Sequence, residues 1–298
     1  MFLSAKVQNA EGELLDLMTR DSLAKFVCSG IQGLNQPPAT LNMNHIVGMD
    51  GARHNSGYLN TRNLVVTFML RGDQEESRQE LYRYFRTNDL CRFFFQNRNR
   101  NVFLDGYVET VECDMFQRQE EAQVSIICPD PFLKDVEETV VELQNSRGEF
   151  TFPFAIDQDD PVKLGSTEDN RTTDVINDAL TETPFEIEIT AREVLSSFSG
   201  FYIQNQLTGE KIGFSGWPTA LETFDPGDVI YINTDPEHPT MKIRRGTQVF
   251  NRIPNMYPGG TFFQLHPGSN VFGVKTYPSG DADKVNIELK FRKLYRGV

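Results

Sequence analysis

The stretch Phe185-Glu186-Ile187-Glu188-Ile189-Thr190 decides the fold of the second half of the chain, because it alternates apolar with polar residues. A period of two places the apolar side chains on one face of a strand and the polar ones on the other. The run from Val285 to Arg292 repeats this alternation. Strands with one dry and one solvated face are typical of antiparallel sheets, so both runs predict such strands.

Between these two runs, short apolar segments are separated by residues that favour turns. They include Asp225-Pro226-Gly227-Asp228, Arg245-Gly246 and Pro267-Gly268. Turn signals at this spacing are typical of a β-sandwich. The second half therefore predicts an all-β sandwich, and no segment in it has the pattern of a helix.

The first half predicts a sheet with one added helix. Asp73 is a candidate N-cap, Glu76 follows three residues later as in a capping box, and Leu81, Tyr84 and Phe85 recur at helical spacing. Apolar runs typical of strands lie around 2–7, 25–31, 64–70, 91–95, 102–111 and 122–127. The stretch from Leu41 to Tyr58 carries three glycines and few core residues, so it is predicted to be a long mobile loop.

A chain of 298 residues exceeds what one hydrophobic core usually serves, so two domains are expected. The Cys-Pro-Asp-Pro sequence at 128–131 closes the first sheet, and polar, turn-forming residues follow it. We predict an N-terminal domain at 1–145, a linker at 146–170 and a C-terminal domain at 171–298.

The composition indicates a folded protein, with 39% hydrophobic and 24% charged residues. No stretch has the length and apolar character of a membrane span or of a signal peptide, so neither is expected. The four cysteines lie at no metal-ligand spacing and are interpreted as thiols kept reduced in a cytoplasm. A formal net charge of −13 argues against tight DNA binding, which depends on basic side chains.

Candidate chemistry is sparse. His45 and His54 flank Asp50, and such a set could hold a metal, but the spacing favours a polar loop. His238 and His266 each precede a proline, and neither has a nucleophile nearby in the sequence. Acidic clusters at 157–160 and at 182–186 are interpreted as solvated charge. No catalytic residue, metal or cofactor is therefore expected.

Two aromatic features leave a binding function open. The segment from Arg92 to Arg100 mixes phenylalanines with basic residues, as single-strand nucleic-acid binders do, yet it also fits a strand that runs into a polar hairpin turn. Trp217 is a candidate glycan contact, although a lone tryptophan more often packs in a core.

Several segments in the first half resemble the N-terminal domain of siphophage distal tail proteins. They are Gly30-Ile31-Gln32-Gly33-Leu34-Asn35-Gln36-Pro37-Pro38-Ala39, Val47-Gly48-Met49-Asp50-Gly51, Arg62-Asn63-Leu64-Val65, Tyr82-Arg83-Tyr84-Phe85, Val102 to Glu109 and Gln123 to Phe132. In the second half, Thr183 to Ile189, Phe224 to Asp228, Phe262 to Asn270 and Phe291 to Val298 resemble the C-terminal domain of the same family.

This resemblance implies a mainly β protein with an N-terminal β-sandwich plus one helix and a C-terminal galectin-like sandwich. It also implies a non-enzymatic role: a hexameric ring at the tail tip of the virion, made in the bacterial cytoplasm, that joins the tail tube protein to the hub and to receptor-binding or baseplate proteins. DNA would pass through the ring without specific binding, and no membrane insertion is implied. The loop at 41–60 is the candidate inter-subunit contact, with Asn44, Asp50, Arg53, His54 and Tyr58 as its candidate residues.

Two other functions remain possible at the level of the sequence. One is a carbohydrate-binding receptor module that uses Trp217 and the neighbouring loops. The other is a tail-associated hydrolase, which would need a carboxylate pair or a triad that the sequence does not display.

Overall fold

A computed structural model describes residues 2–19, 21, 24–115, 120–143, 146–148, 165–167, 172–279, 281 and 284–298. The chain divides into two compact units: unit 1 is Met1–Glu137 together with Leu294–Val298, and unit 2 is Glu138–Lys293. The division thus comes earlier than residue 145, and the last five residues belong to unit 1. Most of the expected linker at 146–170, including Asp157, Asp159 and Asp160, lies outside the described residues.

The structure contains twenty-three strands and one α-helix, α1 (Gln74–Tyr84). In chain order the strands are β1 (Ser4–Gln8), β2 (Leu14–Asp16), β3 (Phe26–Gln32), β4 (Ala39–Asn44), β5 (Arg53–Leu59), β6 (Arg62–Leu70), β7 (Leu90–Gln96), β8 (Asn101–Cys113), β9 (Glu121–Cys128), β10 (Leu133–Asp135), β11 (Thr139–Glu142), β12 (Ser146–Gly148), β13 (Gly165–Thr167), β14 (Thr172–Asn177), β15 (Phe185–Ala191), β16 (Gly200–Asn205), β17 (Lys211–Ser215), β18 (Val229–Asn233), β19 (Thr240–Arg245), β20 (Gln248–Asn251), β21 (Gly268–Tyr277), β22 (Val285–Phe291) and β23 (Leu294–Tyr295). These elements all lie within the described residues.

Unit 1 is built on one antiparallel sheet of nine strands. Seven of them follow the order β2-β1-β7-β8-β9-β6-β3, and β10 pairs with both β8 and β23. Along β6 the apolar residues Leu64, Val66, Phe68 and Leu70 are buried while those between them are more exposed, as the alternation predicts. Phe68 lies 5.6 Å from the rings of both Phe26 and Phe85, which ties the sheet to the end of the helix.

Helix α1 begins where the sequence predicts. The Asp73 side chain accepts a hydrogen bond from the Glu76 backbone N–H at 3.2 Å, which satisfies one of the free donors of the first turn. Leu81 and Tyr84 are buried, and the carbonyl oxygens of Val7 and Glu13 share the one hydroxyl proton of Tyr84, each at 2.7 Å from its oxygen. The helix therefore closes one side of the unit 1 core.

A buried arginine joins three distant segments of unit 1. Arg62 is 1% exposed, and its guanidinium donates to the carbonyls of Pro131 at 2.9 Å, Gly33 at 2.6 Å, Asn35 at 2.5 Å and Arg296 at 2.7 Å. Burial lowers the pKa of this arginine below its ordinary range. The four carbonyls satisfy its charge by hydrogen bonding, so Arg62 fixes where the chain's last residues rejoin unit 1.

Gly33 is required at this junction. Its φ of +91° is in the left-handed region, and a Cβ there would lie 2.0 Å from the Asn63 carbonyl oxygen. Only glycine permits the turn at 33–35 to approach β6 so closely. The carbonyls of this turn consequently face Arg62.

Unit 2 is a two-sheet sandwich. One sheet has the order β11-β22-β15-β18-β19-β20 and the other β14-β21-β16-β17, and a single cluster of buried residues draws on both sheets. Phe185 of the first sheet lies 5.9 Å from Phe272 of the second. A single turn of 3-10 helix, Ile253–Asn255, is the only helical segment among the described residues of this unit. The mainly β class with one α-helix, which the sequence predicts, is confirmed.

All four cysteines are free thiols; Cys91 and Cys128 are buried, and Cys28 and Cys113 are half-buried. Burial raises the pKa of both Cys91 and Cys128 to about 12, so these two thiols stay protonated and unreactive near neutral pH. No helix in the described part of the chain combines the length and apolar character needed to cross a bilayer.

Candidate functional site

The segment 39–59, which we call the arm, is a β-hairpin that stands apart from the unit 1 sheet. Strands β4 and β5 pair with each other from Ala39 opposite Leu59 to Asn44 opposite Arg53, and with no other strand. A register shift between Asn42 and Met43 bends the ribbon. The prediction of a long mobile loop at Leu41 to Tyr58 is therefore wrong, because most of this segment is paired.

The arm exposes an unusual amount of apolar surface. None of its residues is fully buried, and Val47 at its tip is 102% exposed. A two-stranded ribbon is marginally stable by itself, and large exposed apolar groups tend to mark interaction sites. The exposed apolar side chains of the arm are Leu41, Met43, Ile46, Val47, Met49 and Tyr58.

All the candidate inter-subunit residues lie on the arm and are exposed. Asn44 and Arg53 form the last pair before the tip, His54 lies opposite Met43, Tyr58 lies opposite Thr40, and Asp50 is in the tip itself. The structure thus places the five on one protruding element. Their role as contacts with another subunit stays a prediction.

Sequence reasoning missed the apolar residues of the arm, of which Ile46, Val47 and Met49 are the most prominent. The signal that could have found them is a set of large apolar residues without period-two alternation. Apolar residues in this arrangement do not form one strand face that could pack against the core. They therefore suggest contact with a partner outside the chain.

No metal site is built around His45, His54 and Asp50. The His45 imidazole lies 3.2 Å from the carbonyl of Gly51, which places it in a local contact within the tip. The described residues contain no group of three or more histidine, cysteine or carboxylate side chains positioned to share a metal ion.

Trp217 is held within an aromatic cluster of unit 2. Its indole N–H donates to the Leu221 carbonyl at 2.6 Å, and its ring lies 5.3 Å from Phe198 and 5.1 Å from Phe224. These contacts occupy the indole donor and pack the ring against the core. The geometry therefore favours the packing interpretation over a sugar platform, and a glycan contact at Trp217 stays an untested prediction.

His266 lies between two carboxylates, an arrangement that the sequence does not reveal. Its Nε2 is 2.9 Å from Glu210 and its Nδ1 is 3.2 Å from Glu182. The hydrogen bond to Glu210, with further attraction from both carboxylates, raises the pKa of His266 above 6.5. The two ring nitrogens therefore link Glu210 and Glu182, and the Thr208 hydroxyl donates to the same Glu210 oxygen at 2.8 Å. We call this cluster a charge clamp, because it joins three segments of the chain through charged groups.

The segment from Arg92 to Arg100 is β7 followed by the turn into β8. Phe93 and Phe95 are buried in the core, while Arg92 forms an ion pair with Asp105 at 2.6 Å. This arrangement favours the structural interpretation over binding of single-stranded nucleic acid.

Taken together, the fold and the arm define a two-unit, β-rich protein with one long exposed hairpin. No protein-family model matches the chain, and no curated protein sequence matches it either. Solved structures do match it over nearly its whole length.

The fold is similar to that of the Dit protein of phage SPP1, whose crystal structure is described as a paradigm of the hub adsorption apparatus in phages that infect Gram-positive bacteria. The TM-score is 0.67 at 13% identity, and the match covers 98% of this chain and 99% of that one. Chains of the phage P2 baseplate in its activated conformation with Ca and with Sr match with TM-scores of 0.50 and 0.51, at 13% and 14% identity and 99% coverage of both chains. The resemblance to distal tail proteins is thereby confirmed for the fold.

Proposed function

We propose that this chain is a structural distal tail protein of a long-tailed bacteriophage or prophage, in which six copies form a ring through unit 1. The ring connects the tail tube protein to the tail-tip hub and to receptor-binding or baseplate proteins. The full-length likeness to the SPP1 Dit protein supports this assignment, and the exposed arm is the single observation that carries it.

The arm suits a ring because closed rings need contacts between two different faces of each subunit. A protruding hairpin supplies one such face, since its apolar side chains are exposed in the single chain. Burying them against a neighbour would release the water around them and stabilise the assembly. Function then depends on interfaces, and we assign no catalytic residue or cofactor.

The proposed location is the tail tip of the virion, with synthesis in the cytoplasm of the host bacterium. During ejection DNA would pass through the ring without specific binding. The net charge of −13 supports this, because acidic groups along a bore repel phosphate. Mapping the inner wall of the ring and finding it basic would contradict this part of the proposal.

The experiment that tests the role of the arm is light scattering on the double variant Val47→Asp, Met49→Asp. Both side chains are exposed, so the variant should fold like the parent chain yet lose the multimer, because charges replace the apolar tip. The matched control is Val249→Asp on β20 of unit 2, where the valine is 59% exposed. Equal multimer mass in the tip variant and the control would contradict the proposal.

The carbohydrate-binding alternative is not proposed. Among the described residues of unit 2 no contact favours it, and Trp217, its candidate residue, contacts Leu221, Phe198 and Phe224.

A further inference from the structure

A groove lies on the outer face of the unit 1 sheet, on the side away from the core. It has a volume of about 340 Å³, which is room for about ten water molecules. The alternation along β1 explains it: Ala5 and Val7 face the core, so the side chains between and beside them point outward. The lining residues are Ser4, Lys6, Gln8, Leu14, Phe94, Gln96, Asn101 and Val136.

The groove combines an apolar floor with unused polar groups. Phe94 is half-buried, and Leu14 is 62% exposed. Within the part of the chain that the structure describes, the side chains of Lys6, Gln96 and Asn101 make no hydrogen bond or ion pair. Open apolar surface with unpaired donors around it is typical of a binding site.

Lys6 gives the groove a positive charge that its neighbours leave unpaired. Asp16 lies directly opposite Lys6 in the β1–β2 register, where one of its carboxylate oxygens accepts the Met18 backbone N–H at 2.8 Å, and within the described residues no ion pair joins it to Lys6. On the other side of β1, the neighbouring strand β7 places Phe94 opposite Lys6. The groove therefore fits an occupant with exposed apolar side chains and one carboxylate.

The tip of the arm has these properties. Ile46, Val47 and Met49 are 48%, 102% and 68% exposed, and Asp50 follows directly. In the described part of the chain Asp50 has no ion pair. Arm and groove are both open in the single chain, so any contact between them has to form between two copies.

We propose that the arm tip of one copy inserts into this groove of the next, with Val47 and its apolar neighbours against Phe94 and Leu14, and Asp50 beside Lys6. The contact joins two different surfaces of the same chain, so it is heterologous and can be repeated around a closed ring. This inference rests on the proposed ring, and it names the surface that receives the arm.

Disulfide cross-linking in the full chain tests the contact. Val47→Cys combined with Gln96→Cys should give covalent multimers up to the ring under mild oxidation, and a reductant should release them. The matched control combines Val47→Cys with Glu112→Cys, which is an exposed position on β8 outside the groove. The parent chain, with its four native thiols, sets the background.

The outcomes separate this inference from the proposed function. Multimers specific to the groove pair support the contact. A ring that forms without that cross-link, or that cross-links equally in the control, overturns the contact and leaves the ring standing. A strict monomer overturns both.

A charge exchange gives a second readout. Lys6→Glu and Asp50→Lys should each raise the concentration for half-assembly by roughly two- to fivefold, as expected for a partly exposed ion pair. The double variant should restore assembly. Additive losses in the double variant would contradict the pairing of Asp50 with Lys6.

Discussion

Arg62 is the residue on which the most distant parts of unit 1 converge. Its guanidinium reaches the turn at 33–35, the Pro131 carbonyl and the carbonyl of Arg296, which lies 234 positions along the chain. A buried charge that has no carboxylate partner is tolerated only when its N–H donors are hydrogen-bonded. Here backbone carbonyls accept those hydrogen bonds. The residue therefore determines how the two ends of unit 1 meet.

Replacing Arg62 with alanine should destabilise the protein by on the order of 3 kcal/mol, because four buried carbonyls lose a charged donor. Urea unfolding followed by fluorescence measures this loss. The control is Arg296→Ala, whose side chain is exposed and whose backbone carbonyl, the acceptor for Arg62, is retained. Equal stability of the two variants would show that the hydrogen bonds to Arg62 contribute little.

His266 predicts a pH-dependent contribution to stability. Its pKa is raised in the folded chain, so the stabilisation is fully present below about 6.5 and is lost as the pH rises through the folded pKa. The melting temperature of the parent chain should exceed that of His266→Gln at about pH 6, and the gap should narrow as the pH is raised. His238→Gln, at an exposed turn, is the matched histidine substitution outside the clamp. A gap that does not change with pH would contradict the clamp.

Elements with a strong local pattern could be predicted from the sequence, and the others could not. Strands β15 and β22 and helix α1 follow from alternation and from the Asp73 cap. The arm was missed as a hairpin because neither of its strands has a buried face, so the period-two signal is absent. The pairing of β23 with β10 is a long-range contact that no local pattern encodes.

Because the end of the chain returns to unit 1 as β23, deleting it should loosen the neighbouring strand β10 and leave unit 2 unchanged. Removing Leu294–Val298 takes away the antiparallel partner of β10 and the Arg296 acceptor of Arg62. Amide exchange in β10 should then accelerate by roughly tenfold or more, while β15 and β22 in unit 2 keep their protection. Unchanged exchange at Leu133–Asp135 would show that β23 does not hold this edge of the sheet.

The whole molecule carries a charge of −13, which predicts its behaviour toward DNA. The purified chain, and any ring that it forms, should not bind double-stranded DNA measurably at physiological salt, because few counterions can be released from phosphate. Fluorescence anisotropy with a labelled duplex measures this. Binding to the duplex that weakens steeply as salt is added would contradict the proposal of an acidic channel that does not bind DNA.

Assembly into a ring is tested most directly by the mass of the purified chain, measured by light scattering across concentration, with electron-microscope images of the same sample. We expect a closed ring of about six subunits. A chain that stays monomeric at every concentration and shows no rings in the images would contradict the claim that this protein assembles through its own arm.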